Sequence, residues 1–70
     1  MTPPIQVVVN GESREVPAGL VVDGLLSHLG LRRDRVAIER NLEILPRTQW
    51  ASTTVQAGDR CEIVQLVGGG

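Results

Sequence analysis

The fold is decided by one stretch near the amino terminus, IQVVVNGESREV at residues 5–16. Residues 5–9 are rich in β-branched side chains, and Asn10-Gly11 follows them directly. An Asn-Gly pair is the strongest short signal for a hairpin because a type I′ turn requires positive φ at both central residues. Residues 12–16 then predict a returning strand, which Pro17-Ala18-Gly19 ends because proline donates no hydrogen bond to a sheet.

A helix is predicted after the hairpin. Its apolar side chains have the i, i+3, i+4, i+7 spacing that forms one stripe on a helix, at Val22, Leu25, Leu26 and Leu29. Gly30 suits the left-handed residue that commonly follows the last turn. The start is less well marked, because Leu20-Val21 occupy the region where Ser, Thr, Asp or Asn usually caps a helix.

Three further strands are predicted in the second half of the chain. They cover residues 35–40, residues 43–45 before Pro46, and a last strand that begins at Arg60 or Cys61 and ends at Leu66. Residues 47–50 are expected to form a loop or a single helical turn. Asn41 and the segment Ala57-Gly58-Asp59 mark turns.

The predicted order is therefore β-β-α-β-β-β, which is typical of an α+β fold with a helix across one face of a sheet. We expect the first and last strands, the most apolar, to lie side by side at the centre. They would run parallel because the helix supplies the crossover that parallel pairing requires. This is the β-grasp, or ubiquitin-like, fold: a mixed sheet of four to five strands with one helix. The domain is expected to span residues 1–67, with a flexible glycine tail at residues 68–70.

Size and composition limit the protein to one small domain. The chain has 70 residues, 41% of them hydrophobic, and a domain of this size buries only about 60% of the surface that its unfolded chain exposes. Cys61 is the only cysteine and His28 the only histidine, which excludes an internal disulfide and a structural zinc site. A small domain without disulfides is typical of a reducing compartment, and we expect a cytoplasmic protein.

The charge and the hydrophobic pattern argue against two classes of partner. The net charge is −1, and Trp50 is the only aromatic residue. Nucleic-acid binding usually requires a basic face and often stacking aromatic side chains. No stretch of the sequence is long or apolar enough to span a membrane. We therefore expect neither nucleic acid nor a membrane as a partner.

The strongest functional signal is the segment Val67-Gly68-Gly69-Gly70, which follows the last strand. Glycine has no Cβ, so such a tail can enter a channel that is too narrow for other residues. Three extended residues reach roughly 10 Å beyond the fold, far enough to place the Gly70 carboxylate in the active site of another protein. The alternative is an inert, frayed terminus.

Several segments together resemble a known family. They are Val36-Ala37-Ile38-Glu39-Arg40-Asn41, Pro46-Arg47-Thr48-Gln49-Trp50, Gly58-Asp59-Arg60 and Val67-Gly68-Gly69-Gly70, supported by Asn10-Gly11-Glu12 and the helix pattern from Val22 to Leu29. In this order they resemble the ThiS family, the sulfur carriers of thiamine biosynthesis. The chain departs from the family in the missing helix cap and at Leu42, where the family usually has glycine. Because a bulky residue is strained at positive φ, we expect a different turn type or a looser loop at Leu42.

The resemblance implies a function for the tail. A ubiquitin-activating-type enzyme would adenylate the Gly70 carboxylate with ATP, and a persulfide donor protein would then supply sulfur to form a thiocarboxylate. Thiazole synthase would use this sulfur to build the thiazole ring of thiamine. The chain would be a carrier and not an enzyme. Gly70 would be the covalent site and Gly69 and Gly68 its flexible lead, with no bound cofactor or metal.

The last strand predicts a partner-binding surface next to the tail. If Cys61 and Ile63 face the helix, strand alternation turns Val64 and Leu66 outward. Val64 and Leu66, together with Val67, would form a small apolar patch of the kind that often marks a partner site. The alternative, that they pack under a loop, is left open by the sequence.

Three other residues are not assigned to the site. Cys61 could relay sulfur, but a cysteine on the inner face of a strand is more often a small core residue. His28 has no partner cysteine or carboxylate motif and is expected on the surface. Trp50 is expected to cap one edge of the core rather than to anchor a partner.

Other functions remain open at this point. The same tail could serve another sulfur carrier, such as one like the small subunit of molybdopterin synthase, or a protein modifier that is joined to lysines. A β-grasp interaction module with an inert tail is a further alternative. An enzyme is disfavoured because the sequence contains no nucleophile–base pair, metal cluster or phosphate-binding loop.

Overall fold

The computed structural model describes residues 2–66 of the chain. Its regular elements follow the predicted order. They are strands β1 (Ile5–Val9) and β2 (Glu12–Val16), helix α1 (Val22–His28), and strands β3 (Val36–Arg40), β4 (Glu43–Ile44) and β5 (Arg60–Gln65). Short 3₁₀ turns cover Arg33–Arg35 and Arg47–Gln49. For residues 47–50 the sequence left a loop or a single helical turn open, and the structure confirms the helical turn.

The strand boundaries differ slightly from the predicted ones. β3 starts at Val36 because Arg35 closes the first 3₁₀ turn, and β4 already ends at Ile44. β5 ends at Gln65, although the amide of Leu66 still donates to the carbonyl of Arg35 at 2.7 Å.

The five strands form one mixed sheet in the order β2-β1-β5-β3-β4. β1 and β5 run parallel near its centre, and the other neighbouring pairs are antiparallel. The parallel pair is possible because the chain crosses over through α1 before it returns to the sheet. The predicted central position of the first and last strands is confirmed.

A tight turn joins β1 to β2. Val9 is paired with Glu12, so only Asn10 and Gly11 connect the strands. Their φ angles are 51° and 82°, which is the type I′ geometry that the Asn-Gly pair predicts.

Asn10 also binds β5. The backbone register between β1 and β5 ends where Val9 pairs with Cys61. Beyond it, Oδ1 of Asn10 accepts from the amide of Ile63 at 2.7 Å, and Nδ2 donates to the carbonyl of Ile63 at 3.1 Å. The Asn10 side chain therefore extends the pairing of β5 past the end of β1.

The helix begins without a side-chain cap, as the sequence predicts. Val21 holds the capping position and makes no side-chain hydrogen bond to the helix. Instead, the amide of Val22 donates to the carbonyl of Thr53 at 2.9 Å, and the amide of Asp23 donates to that of Trp50 at 3.2 Å. Carbonyls from a segment distant in the sequence thus satisfy the donors that a helix start leaves free.

The helix ends at the predicted glycine. Gly30 has a φ of 75°. Its amide donates to the carbonyl of Ser27 at 3.0 Å, and the amide of Leu31 donates to that of Leu26 at 2.9 Å. These two bonds form a Schellman motif, which satisfies the last carbonyls of the helix.

The core includes side chains from α1 and from the inner face of the sheet. Its buried side chains are almost all aliphatic: Val7, Val9, Val16, Val22, Leu25, Leu26, Val36, Ile38, Trp50, Val55, Cys61 and Ile63.

The indole Nε1 of Trp50 donates to the carbonyl of Leu45 at 2.9 Å. The guanidinium groups of Arg33 and Arg47 lie 5.5 and 5.3 Å from the centre of the Trp50 ring. The structural role expected for Trp50 is confirmed.

The turn between β3 and β4 differs from the prediction. Arg40 pairs with Glu43, and the two residues between them, Asn41 and Leu42, have φ angles of 51° and 72°. The expectation of a different turn type or a looser loop at Leu42 is therefore wrong. The amide of Asn41 donates to the carbonyl of Arg60 at 2.8 Å, which holds the tight turn against β5. Leu42 adopts the left-handed conformation with its side chain in solvent.

Candidate functional site

The structure orients β5 as predicted. Cys61 and Ile63 are buried in the core, while Val64 is 60% and Leu66 50% exposed. The predicted exposure of Val64 and Leu66 is confirmed.

Leu66 also lines a cavity of about 340 Å³ with Gly30 and Leu31 of the loop after α1, so the alternative of packing beside a loop is wrong for Val64 only. Val64 lies near the end of β5, and Leu66 directly follows its last residue, Gln65.

The tail residues of the predicted site lie outside the described residues. These residues are Val67, Gly68, Gly69 and Gly70. Their roles as partner contact, flexible lead and covalent site therefore stay predictions, as does the domain boundary after residue 67.

The exposed apolar surface beside β5 is larger than the sequence indicates. On the outer face of the sheet, Val64 pairs with Ala37 of β3, and Ile44 of β4 is 77% exposed. Together with Glu39 and Glu62, these three side chains line a shallow groove of about 270 Å³, which we call the outer groove. Sequence analysis missed Ile44 because a strand of two residues is too short to show the alternation of apolar and polar side chains.

Two carboxylates lie directly opposite each other in the outer groove. Glu39 of β3 pairs with Glu62 of β5 and, on its other side, with Ile44 of β4. Among the ion pairs formed by residues 2–66, none includes either glutamate. The groove therefore combines exposed apolar side chains with negative charge that these residues do not neutralise.

A polar network holds the start of β5 against the turn between β3 and β4. The buried carboxylate of Asp59 accepts hydrogen bonds from Nε of Arg40 at 2.9 Å and Nδ2 of Asn41 at 3.1 Å. It also accepts one from the amide of Gln56 at 2.8 Å, and Oδ1 of Asn41 accepts from the amide of Arg60 at 2.9 Å. Burial alone would raise the pKa of Asp59, but the hydrogen bonds and the Arg40 charge outweigh burial and lower it. The network thus holds the start of β5 against the turn between β3 and β4.

Neither Cys61 nor His28 lines the outer groove. Cys61 is 3% exposed, and burial, with a smaller contribution from the Asp59 carboxylate, raises the pKa of its thiol. The thiolate that a sulfur relay needs is therefore disfavoured. His28 is exposed in the last turn of α1, as predicted.

Other kinds of site have no support in this part of the chain. Within residues 2–66, no three His, Cys, Asp or Glu side chains are placed to hold a metal ion. None of the helical segments there has the length and apolar character needed to cross a membrane. The outer groove is the candidate site among the described residues.

Two relatives are much longer than this chain. Over 66 residues, it is 46% identical to a thiazole synthase from Paramagnetospirillum magneticum. It is also 35% identical to a thiazole synthase from Magnetococcus marinus. The chain spans 20% of the length of each of these proteins, and so corresponds to one part of them.

Other relatives match along their full length. The chain is 36% identical to the sulfur carrier protein ThiS of Escherichia coli, over 94% of this chain and 100% of that protein. Its fold matches the crystal structure of the thiamine biosynthesis protein ThiS from Geobacter metallireducens with a TM-score of 0.81 and 36% identity, over 94% of this chain and 100% of that one. The model of the ThiS family matches residues 7–70. This chain, with its β-grasp fold, therefore belongs to the ThiS family, the sulfur-carrier family of thiamine biosynthesis.

Proposed function

We propose that this protein carries sulfur for thiamine biosynthesis on the carboxylate of Gly70. The observation that carries the proposal is the match to the ThiS family, which extends through the last glycine. The fold supports the proposal because β5, the strand before the tail, has a neighbour on each side in the sheet. A strand held on both sides gives the tail a defined starting point.

The proposed reaction starts by activating the carboxylate. A terminal carboxylate has an ordinary pKa of about 3.3–3.7, so it is ionised at neutral pH and is a poor electrophile. A ubiquitin-activating-type enzyme transfers AMP from ATP to the Gly70 carboxylate and releases pyrophosphate. The acyl-adenylate then has a good leaving group on its acyl carbon.

Sulfur replaces AMP in the next step. The terminal sulfur of a persulfide donor protein attacks the acyl carbon and expels AMP, which leaves an acyl disulfide between Gly70 and the donor. A second thiol reduces this disulfide and releases the thiocarboxylate. The chain acts as a co-substrate and catalyses none of these steps, and the activating enzyme binds the ATP. The need for ATP and thiols agrees with a cytoplasmic protein.

Two enzymes receive the tail in this proposal, the activating enzyme and a thiazole synthase that accepts the sulfur. The likeness of the chain to one part of two thiazole synthases supports the second partner. Ordering each tail residue costs about 1–2 kcal/mol, so a folded surface must also bind. Val64, Leu66 and Val67 supply contacts beside the flexible lead of Gly68 and Gly69.

Intact-mass spectrometry tests the proposal. The protein is incubated with ATP, a sulfur source and the cognate activating enzyme or a cell extract. We expect a mass gain that corresponds to exchange of one oxygen for sulfur, located at Gly70 and absent from a variant that lacks all three terminal glycines, Gly68, Gly69 and Gly70. If a demonstrably active enzyme produces no such species, the proposal is wrong. Adducts on lysines of other proteins would favour a protein modifier instead.

A further inference from the structure

The last described residue before the tail is held by the segment that precedes β3. Leu66 follows β5 directly, and its amide donates to the carbonyl of Arg35 at 2.7 Å. Its neighbour Gln65 pairs with Val36, the first residue of β3. The place from which the tail continues therefore depends on the 3₁₀ turn Arg33–Arg35 and on the start of β3.

Buried apolar side chains do not fix this turn. None of its three residues is buried, and its backbone is closed by a bond of 3.0 Å from the amide of Arg35 to the carbonyl of Arg32. A segment with few buried apolar contacts opens locally at a low cost in free energy. The turn therefore needs other contacts if it is to hold Leu66 in one place.

The side chain of Arg33 supplies these contacts. Its Nε donates to Oδ1 of Asp23 in α1 at 2.9 Å, and its Nη2 donates to the carbonyl of Arg47 at 3.4 Å. Its Cζ lies 5.5 Å from the centre of the Trp50 ring, within the range of a cation–π contact. One side chain thus ties the turn to the helix, to the second 3₁₀ turn and to the core.

Trp50 gives this contact a fixed base. It is 1% exposed, and its indole Nε1 donates to the carbonyl of Leu45. Arg47 lies against the same ring, at 5.3 Å from its centre, and its Nη2 donates to the carbonyl of Val36 at 3.0 Å. The two arginines therefore connect the buried Trp50 to both backbone segments that bind the end of β5.

We propose that Arg33 is a positioning residue for the activation of the tail. By holding the turn that binds Leu66, it fixes the point from which residues 67–70 continue. The inference rests on the proposed function, because the activating enzyme must receive these residues. With a loose Leu66, one more backbone residue would have to be ordered before the terminal carboxylate is seated in that enzyme. Arg33 acts through Leu66 and takes no part in the reaction.

Hydrogen exchange tests the hold on Leu66 in the protein alone. The variant Arg33→Gln loses the ion pair with Asp23 and the cation–π contact. We expect the Leu66 amide to exchange about tenfold faster, which corresponds to a loss of about 1.4 kcal/mol. The amide of Ile63, which donates to the Asn10 side chain, should keep its protection. A general loss of stability would instead speed exchange at both amides.

The rate of activation tests the consequence for the tail. The protein is mixed with ATP and an excess of the purified activating enzyme of the same organism, and pyrophosphate release is followed in a single turnover. We expect the maximal rate to fall about tenfold for Arg33→Gln, because fewer bound molecules have the tail seated. The enzyme concentration that gives half of this rate should change by less than about twofold, since the folded surface that binds is unaltered.

Three further variants serve as controls. Arg32→Gln removes the same charge at the neighbouring position, but Arg32 pairs with Asp34 of the same turn, so both measurements should be unchanged. Val55→Ala removes buried volume from a residue whose amide binds the carbonyl of Leu20. It should lower stability without changing the maximal rate at a temperature where it is folded. Arg33→Lys keeps the charge but not the planar fork and should restore part of the rate.

The outcomes separate this inference from the proposed function. If the unchanged protein and Arg33→Gln release pyrophosphate at the same maximal rate, the positioning role is wrong and the proposed function stands. Equal slowing by Arg32→Gln or Val55→Ala would also overturn it. If a demonstrably active enzyme releases no pyrophosphate with the unchanged protein, the proposed function fails. Exchange at Leu66 then still decides whether Arg33 holds the start of the tail.

Discussion

The side-chain amide of Asn10 pairs with both backbone polar groups of Ile63, at 2.7 and 3.1 Å. The backbone pairing of β1 with β5 ends at Val9, and the Asn10 side chain extends it by one more residue of β5. The same residue adopts the positive φ of the first turn. The hairpin near the amino terminus therefore helps to hold the strand that precedes the tail.

Asn10→Gly separates the turn from the contact with β5. Glycine adopts positive φ readily, but it cannot bind Ile63. We expect the free energy of unfolding to fall by about 1–3 kcal/mol, the range for backbone groups that lose a partner. Hydrogen exchange at the amide of Ile63 should become faster.

Asn10→Asp is the control for this prediction. It keeps an acceptor for the amide of Ile63 and loses the donor to the carbonyl, so part of the protection should remain. If hydrogen exchange at the Ile63 amide is equally fast in Asn10→Gly and in the unchanged protein, the Asn10 side chain does not stabilise β5.

The buried Asp59 predicts a loss of stability in acid. Its pKa is lowered in the folded protein, so the ionised carboxylate stabilises the fold above the pKa of the unfolded chain. That stability is lost as the pH falls through the lower, folded pKa, from about pH 4 downward. We expect Asp59→Asn to reduce the free energy of unfolding by about 1–3 kcal/mol at neutral pH, and by less in acid. Urea unfolding across this pH range measures both values.

Asp34→Asn is a suitable comparison for Asp59→Asn. Asp34 pairs with Arg32 at 3.1 Å, and their side chains are 59% and 71% exposed. An exposed pair contributes less than about 1 kcal/mol, so the pH dependence of this variant should resemble that of the unchanged protein. Equal pH dependence in Asp34→Asn and Asp59→Asn would argue against a special role for the buried network.

Leu42→Gly should stabilise the turn between β3 and β4. Leu42 has a φ of 72° and is 88% exposed. A left-handed conformation costs roughly 1–2 kcal/mol for a residue with a Cβ, whereas glycine loses about 0.5–1 kcal/mol of backbone entropy. We expect a net gain of up to about 1 kcal/mol in thermal unfolding experiments. Leu42→Ala keeps the Cβ, and an equal gain there would show that strain is not the cause.

Cys61→Ala tests whether the thiol takes part in sulfur transfer. Burial raises the pKa of this thiol, so we expect slow reaction with thiol reagents in the folded protein. The variant should be less stable by about 1 kcal/mol because it loses buried volume. It should still form the thiocarboxylate at an unchanged rate, as measured by intact mass. Loss of sulfur transfer in a folded Cys61→Ala protein would contradict a purely structural role.

Local signals were sufficient to predict most of the fold. The Asn10-Gly11 turn and the Gly30 helix end require positive φ, and the sequence supplies residues that adopt it readily. The stripe from Val22 to Leu29 and the alternation from Cys61 to Leu66 set which faces are buried. The predicted helix provides the crossover that parallel pairing requires, so the parallel pairing of the first and last strands could also be predicted.

Features that depend on distant contacts could not be predicted in this way. The pairing of Asn10 with Ile63 joins opposite ends of the chain, and no local pattern reveals it. At Leu42 a local steric rule gave the wrong answer, because Asn41 and the strand register hold the tight turn. The outer groove required the register of β3 with β5, which places Glu39 opposite Glu62.

The place of β5 in the sheet has a mechanical consequence. A pull on the tail acts along β5, which is bonded to β1 on one side and to β3 on the other. The antiparallel pairing extends from Arg40 with Cys61 to Val36 with Gln65, so a force along the strand loads these bonds together in shear. An edge strand that is pulled sideways would instead be peeled away one bond at a time. If an enzyme draws the terminus into its active site, as the proposed function requires, we expect the protein to stay folded under that tension.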